Sequence, residues 1–231
     1  RDTRRLIRKN LIVFGQTLID KVAVLAGINH RLSFTHEGGE NLDNMVAGGR
    51  GGLIISAHLG NWEVAGHLLK RLGTTVNILM YDGEDDAVKN YMEQFESRRS
   101  FNIIYVREDM SHIYELNAAL QRNELICLHA DRFRPGNRTI SHEFLGKKAL
   151  FPAGPFILAS KLKAPVSFVF AFKETDRHYH FYAEPARVYA GRGTTGMEVM
   201  LGDYVGLMER RLKQYPGQWF NYFDFWADGS D

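Results

Sequence analysis

Two residues suited to acid–base chemistry stand five positions apart, His58 and Glu63, within the run SAHLGNWE at residues 56–63. A hydroxyl group is a poor nucleophile near neutral pH because its pKa is far higher, so its attack is faster when a base removes its proton. Histidine accepts protons in this pH range and is a better base when a carboxylate accepts its other N–H. The pair therefore predicts that His58 activates a hydroxyl and that Glu63 supports it.

This pairing requires a particular local structure. On a regular helix, residues five apart point roughly 140° away from each other, so the two side chains cannot share one helix face. The apolar run 53–57 predicts a buried strand that ends at His58, and from Glu63 to Arg71 the apolar spacing becomes helical. A bend at Gly60 and Asn61 would then return the carboxylate towards the imidazole.

Strand and helix patterns alternate along the rest of the chain. Further strands are predicted at 75–80, 102–106, 124–130 and 166–172, and helices at 85–99, 111–122, 151–162 and 203–215. Residues 178–184 alternate in polarity like an edge strand or a hairpin partner. This order predicts an α/β fold in which helices flank a mostly parallel mixed sheet. Ligands of such folds bind at the carboxyl ends of the strands, where His58 and Asp131 both fall.

The composition agrees with one globular domain. The 231 residues are 45% hydrophobic and 24% charged, so we expect a single domain over 1–231 with its core in 48–226. A net charge of +2 is too small to indicate nucleic acid as a partner. The single cysteine, Cys127, lies in an apolar run, which predicts a buried, inert thiol and excludes an intrachain disulfide.

The first 30 residues predict an amphipathic helix near a membrane. Its apolar positions recur every three or four residues, and five basic residues crowd its start, which suits an anionic membrane surface. The same periodicity fits an ordinary packed helix, which the pattern alone favours slightly. No stretch is long and apolar enough to span a bilayer, and because the chain begins with Arg1 we expect a missing N-terminal segment that could hold an anchor. The apolar positions are Ile7, Leu11, Phe14, Leu18, Val22 and Leu25.

The motif His-x-x-x-x-Glu in its SAHLGNWE setting resembles bacterial lysophospholipid-type acyltransferases, specifically the late acyltransferases of lipid A biosynthesis that add lauroyl or myristoyl chains. Similar segments follow in that family's order, and the resemblance covers about 37–226. These segments are the arginine pair 98–99, HADR at 129–132, FLGK at 144–147, FPAGP at 151–155, APV at 164–166 and YPGQWF at 215–220.

The resemblance implies a glycerol-phosphate-acyltransferase-like fold and a role in lipopolysaccharide synthesis. It implies transfer of a fatty acyl chain, usually from acyl carrier protein, to a hydroxyl of a lipid acceptor such as a lipid A precursor. It further implies a location at the cytoplasmic face of the bacterial inner membrane and no cofactor or metal. Guanidinium groups suit acceptor phosphates and developing oxyanions. The residues expected to bind substrate are Asn61, Arg98, Arg99, Asp131, Arg132, Phe144 and Gly146.

Other interpretations remain open at this point. His58, Glu63, His129 and Asp131 could ligate a metal in a hydrolase, or an apolar groove could bind lipid without catalysis. Asp131 and Arg132 could form a surface ion pair, and 144–146 could be a plain turn. The aromatic C-terminal segment suits either a membrane interface or the core. A serine esterase is disfavoured because no Gly-x-Ser-x-Gly motif occurs.

Overall fold

The computed structural model describes residues 2–25, 27, 32–81, 101–191, 195–223 and 226. The helices in this part are α1 (Asp2–Leu25), α2 (Gly39–Ala47), α3 (Trp62–Leu69), α4 (His112–Gln121), α5 (Ala153–Leu162) and α6 (Thr195–Gln214). The strands are β1 (Ser33–Glu37), β2 (Gly52–Ser56), β3 (Val76–Tyr81), β4 (Asn102–Val106), β5 (Leu125–His129), β6 (Thr139–Phe144), β7 (Lys147–Pro152), β8 (Val166–Thr175) and β9 (His178–Ala183).

Seven of these strands form one mixed sheet in the order β1-β9-β8-β2-β5-β3-β4, and β6 and β7 form a separate hairpin. Neighbours in the large sheet are parallel except β8 and β9. The predicted single α/β domain with a mostly parallel mixed sheet is therefore confirmed. Every residue of β2 is buried, as expected for a central parallel strand covered on both faces.

Helices cover both faces of the sheet, as predicted. Helix α4 packs against β4 and β5, whereas α3 packs against β8 and α2 against β9. Because successive strand residues point to opposite faces, Ile55 belongs to the larger apolar cluster and its neighbour Ile54 to a second cluster beside α2 and α3. The candidate site lies on the face of the sheet that includes Ile54.

The strand predictions are confirmed for β2, β3, β4, β5 and β8, whose sequences are predominantly apolar. The segment 178–184 is a hairpin partner of β8, but it is not an edge strand, because β1 pairs with its other side. The sequence patterns did not indicate β1, α2 and the β6–β7 hairpin, because the residues of these elements mix polarities. Helix α6 begins eight residues before the predicted start, and the predicted helix 85–99 lies outside the described residues.

The predicted N-terminal helix is α1, and polar side chains contribute to its contacts with the rest of the chain. The Asn10 amide donates to the carbonyl oxygens of Gly217 (3.2 Å) and Trp219 (3.0 Å). Further along, the Asp20 carboxylate accepts hydrogen bonds from Lys173 Nζ (2.5 Å) and the Tyr179 hydroxyl (2.6 Å). Asn10 and Asp20 thus anchor α1 by specific polar contacts, and Phe14 and Val24 add apolar contacts on the same helix.

Candidate active site

Adjacent strands bring His58 and Asp131 together at the carboxyl edge of the sheet. Ser56 of β2 and His129 of β5 are register partners, and His58 and Asp131 each follow two residues later. Asp131 is fully buried. Its Oδ1 lies 2.7 Å from His58 Nδ1, and its Oδ2 accepts the backbone N–H of His58 at 2.9 Å. The indole N–H of Trp219 also donates to Oδ2, at 3.2 Å.

These contacts determine which ring nitrogen of His58 carries the proton. Burial by itself would raise the pKa of Asp131, but the charge and hydrogen bonds of His58 together hold that pKa below its usual value. An ionised carboxylate can only accept, so His58 Nδ1 must be the donor. The neutral imidazole then presents an unprotonated Nε2, and His58 lines a groove in the surface.

His129 lies beside this pair and remains uncharged. Its ring centroid is 4.5 Å from that of His58 and 5.2 Å from the Trp62 ring. Burial, assisted by the positive charge of a protonated His58, lowers the pKa of His129 to about 3. It therefore contacts both His58 and Trp62 as a neutral aromatic ring.

The C-terminal segment holds the turn that carries His58. The backbone N–H of Phe220 donates to the His58 carbonyl oxygen, and the N–H of Gly60 donates to the Gln218 carbonyl oxygen, both at 2.8 Å. Gly60 has φ +81°, and a Cβ at this position would meet the backbone of Ala171, so glycine is required there. Residues 215–220 were expected only as a family-like segment, and their contact with the His58 turn had no signal in the sequence.

Asn61 fastens the same turn to α1. Its side-chain oxygen accepts the Val64 N–H at 3.3 Å, which caps the first turn of α3. Its amide nitrogen donates to the Thr17 carbonyl oxygen (3.3 Å) and the Tyr179 hydroxyl (3.1 Å). Asn61 is buried and lines the inner surface of the groove, and these polar contacts occupy its amide.

The structure describes only some of the other polar residues expected at the site. Glu63 lies in the first turn of α3, as the spacing predicted, but its side chain lies outside the described residues, so its support of His58 stays a prediction. Arg98 and Arg99 lie wholly outside them. Arg132 lines the groove and donates to Asn221 Oδ1 (2.9 Å) and the Phe220 carbonyl oxygen (2.8 Å).

Phe144 and Gly146 are not among the described residues that line the groove. Phe144 is fully buried, and its ring contacts those of Trp219 and Trp226. Leu145 and Gly146 form the tip of the β6–β7 hairpin with φ +53° and +77°, a two-residue turn that favours glycine. The structure thus places Phe144 behind Trp219 and Gly146 at an exposed turn.

The groove beside His58 has a volume of about 790 Å³, within the range of ligand pockets. It runs from the carboxyl edge of the sheet between the sheet face and α3. Its inner part is apolar, with lining residues that include Ile54, Ala65, Leu69, Val76, Ile78, Cys127 and Val169. In the part of the chain that the structure describes, no three His, Cys, Asp or Glu side chains are grouped to hold a metal ion.

The chain belongs to the bacterial lipid A biosynthesis acyltransferase family, whose model matches residues 1–222. The resemblance seen in the sequence is thereby confirmed. The chain is also 29% identical over 144 residues to phosphatidylinositol mannoside acyltransferase of Mycobacterium tuberculosis, covering 58% of this chain and 44% of that protein. The same-named protein of a second strain is 28% identical over 144 residues, with equal coverage. The match thus spans less than half the length of these curated relatives.

Proposed function

We propose that this protein is an O-acyltransferase that moves a fatty acyl chain from an acyl thioester to a hydroxyl of a lipid acceptor. The observation that carries the proposal is the His58–Asp131 hydrogen bond at the head of an apolar groove. A histidine whose second ring nitrogen donates a hydrogen bond to a buried carboxylate is the arrangement that activates hydroxyl nucleophiles. The groove gives the acyl chain an apolar environment beside that base.

In the proposed reaction, His58 Nε2 removes the proton of the acceptor hydroxyl as its oxygen attacks the thioester carbonyl carbon. Asp131 stabilises the imidazolium that forms, while Nδ1–H remains hydrogen-bonded to it. The tetrahedral intermediate then collapses: its carbon–sulfur bond breaks, and the proton on Nε2 passes to the departing sulfur. The products are an ester and a free thiol.

Asp131, rather than Glu63, is the orienting carboxylate in this proposal. A neutral imidazole has a single N–H, and Asp131 Oδ1 is placed to accept it. A second carboxylate could reach only Nε2, the atom that must stay free to accept the hydroxyl proton. Glu63 therefore acts, in this proposal, on bound substrate rather than on the Nδ1 side of His58.

The proposed donor is acyl carrier protein, and the proposed acceptor is a glycolipid such as a lipid A precursor. The family description names lipid A biosynthesis, and the matched relatives are named as acyltransferases of a mannosylated phospholipid. Arg132 supplies positive charge at the groove for a phosphate of the donor or acceptor. Arg98 or Arg99 would add to that charge.

We also propose that α1 lies on the cytoplasmic face of the bacterial inner membrane. Seven large apolar side chains of this helix are 40% to 69% exposed, while its polar residues Asn10 and Asp20 face inward. Exposed arginines at positions 4, 5 and 8 add charge that suits anionic lipids. Among the described residues, no helix has the length and apolar composition of a membrane span. The exposed side chains are Leu6, Ile7, Leu11, Ile12, Leu18, Ile19 and Val22.

Mass spectrometry of lipids tests the proposed reaction. The protein is incubated with acyl carrier protein loaded with one defined chain and with vesicles that contain a lipid A precursor or a mannosylated phospholipid. The wild type should add the mass of one acyl chain, and His58→Gln should abolish the product. A wild type that transfers no chain to either acceptor would overturn the reaction. Equal transfer by His58→Gln would show that His58 is not the base.

A further inference from the structure

The apolar part of the groove is built as rows of side chains across neighbouring strands. Ile54, Cys127 and Ile78 are register partners on β2, β5 and β3, and all three line the groove. The row that contains His129 lies two residues from the Cys127 row, towards the carboxyl edge of the sheet. The row that contains Val76, which is paired with Leu125, lies two residues from the Cys127 row in the opposite direction.

The spacing of these rows can be expressed in carbon atoms. Strands rise about 3.3 Å per residue, so rows two residues apart are separated by about 6.6 Å. An extended protein backbone covers about 3.6 Å in three bonds, so an extended alkyl chain advances about 1.2 Å per bond. The Cys127 row is therefore about five carbons below the His129 row, and the Val76 row about eleven carbons below it.

The inner end of the groove is closed by packed apolar side chains. Leu69 and Val76 are both buried and belong to one cluster with Met45 of α2. The Met45 side chain fills the space that a Cβ on Gly52 would occupy, with its sulfur 2.5 Å from that position. A straight chain that follows the sheet from His58 therefore ends against Val76 and Leu69.

Cys127 leaves room for a chain to pass. It is the smallest side chain of its row, between the branched Ile54 and Ile78, so the row is lowest at its centre. Burial raises the pKa of its thiol to about 12, which keeps the sulfur protonated and unreactive. The thiol therefore offers the passing chain a compact apolar surface.

We propose that this groove selects acyl chains by length, with Cys127 forming the passage halfway along it and Val76 forming its end. The inference rests on the proposed acyl transfer and adds the residues that set substrate specificity. Chains that stop short of the Val76 row leave apolar surface uncovered, and longer chains must bend or leave the groove. The class of substrate is a straight acyl chain whose methyl group reaches the Val76 row.

Two substitutions at different depths test the proposal. Acyl carrier protein loaded with an equimolar series of saturated chains, from about 6 to about 16 carbons so as to bracket both rows, is offered to each variant. Cys127→Phe should end the accepted range about five carbons earlier than Val76→Phe does, because the rows are about 6.6 Å apart. For chains beyond each cut-off, kcat/KM relative to the shortest chain should fall at least about tenfold, since each lost methylene contact weakens binding.

The matched control is Val199→Phe, the same exchange at an exposed position of α6, which should keep the wild-type length profile. If Cys127→Phe does not fold, Cys127→Leu should give a smaller shortening in the same direction. If both groove variants transfer acyl chains normally and keep the wild-type length profile, the length selection alone is overturned. Equal loss at every chain length in a folded variant would also overturn it, because short chains do not reach the substituted row. A wild type without transfer would instead overturn the proposed function.

Discussion

Exchanging Asp131 for asparagine should move the proton of His58 to the wrong nitrogen. Asparagine offers one oxygen and one NH₂ group where aspartate offers two acceptors. The Oδ2 position faces two donors that cannot change, the backbone N–H of His58 and the indole N–H of Trp219. The oxygen of the asparagine therefore takes that position. Its NH₂ faces His58 Nδ1, which becomes the acceptor, and the ring proton moves to Nε2.

The magnitude follows from this change of tautomer. A proton on Nε2 blocks the atom that must accept the hydroxyl proton, and the equivalent aspartate-to-asparagine exchange in a serine protease triad lowers kcat about 10⁴-fold. For Asp131→Asn we expect kcat to fall about 10³- to 10⁴-fold, which corresponds to about 4–5.5 kcal/mol in activation free energy. Because all three hydrogen bonds can re-form, the free energy of unfolding should fall by only about 1–2 kcal/mol.

The assay is the initial rate of ester formation by mass spectrometry at saturating donor and acceptor. The control is Glu124→Gln, which removes another buried carboxylate, bound to Arg122 and Asn77 at the opposite end of β5. This control should lose stability and keep kcat. A folded Asp131→Asn protein whose kcat lies within about tenfold of the wild type would refute the assigned role of Asp131.

Three further predictions concern the surroundings of the pair. His129 has a pKa of about 3 in the folded protein and about 6.5 when unfolded, so the unfolded chain binds more protons as the pH falls below about 6.5. As the pH is lowered from about 6 to about 5, the free energy of unfolding, measured by denaturant titration, should fall more steeply for the wild type than for His129→Asn. The difference between the two slopes should be up to about 1.4 kcal/mol per pH unit. Equal slopes for the two proteins would contradict the buried, neutral state of His129. Leu11→Gln should weaken binding to anionic vesicles about five- to tenfold in co-sedimentation, because an apolar contact worth about 1 kcal/mol or more is lost. The control is Tyr114→Gln, at an exposed position of α4. Equal losses of vesicle binding in both variants would exclude α1 as the membrane contact. Trp219→Phe removes one donor to Asp131 and keeps an aromatic ring, so kcat should fall about tenfold with a small change in KM; an unchanged kcat would show that this hydrogen bond does not support the pair.

Local patterns predicted the sheet where the strands are uniformly apolar. The buried runs of β2 and β5 indicated two strands of one parallel sheet, and the rule for such sheets then placed His58 and Asp131 at the same edge. The β6–β7 hairpin was missed because its solvent-facing lysines and glutamate interrupt any apolar periodicity. Its two-residue turn with glycine was the remaining signal.

The carboxylate that holds His58 could not be identified from spacing. Closeness in the sequence favoured Glu63, whereas Asp131 is 73 residues away and reaches His58 because β2 and β5 are direct neighbours. Strand order depends on packing of the whole chain, which no local window contains. The orientation of α1 had the same limit: periodicity showed that one face is apolar but not that much of it is exposed.

The central claim is that His58 presents an unprotonated Nε2 to the groove while Asp131 holds its Nδ1–H. Nitrogen-15 NMR of histidine-labelled protein reports directly which ring nitrogen carries the proton, and the His58 signals are assigned by their absence in His58→Gln. Near neutral pH, the neutral His58 ring should carry its proton on Nδ1, and the proton should move to Nε2 in Asp131→Asn. A wild-type His58 with its proton on Nε2 would contradict the account.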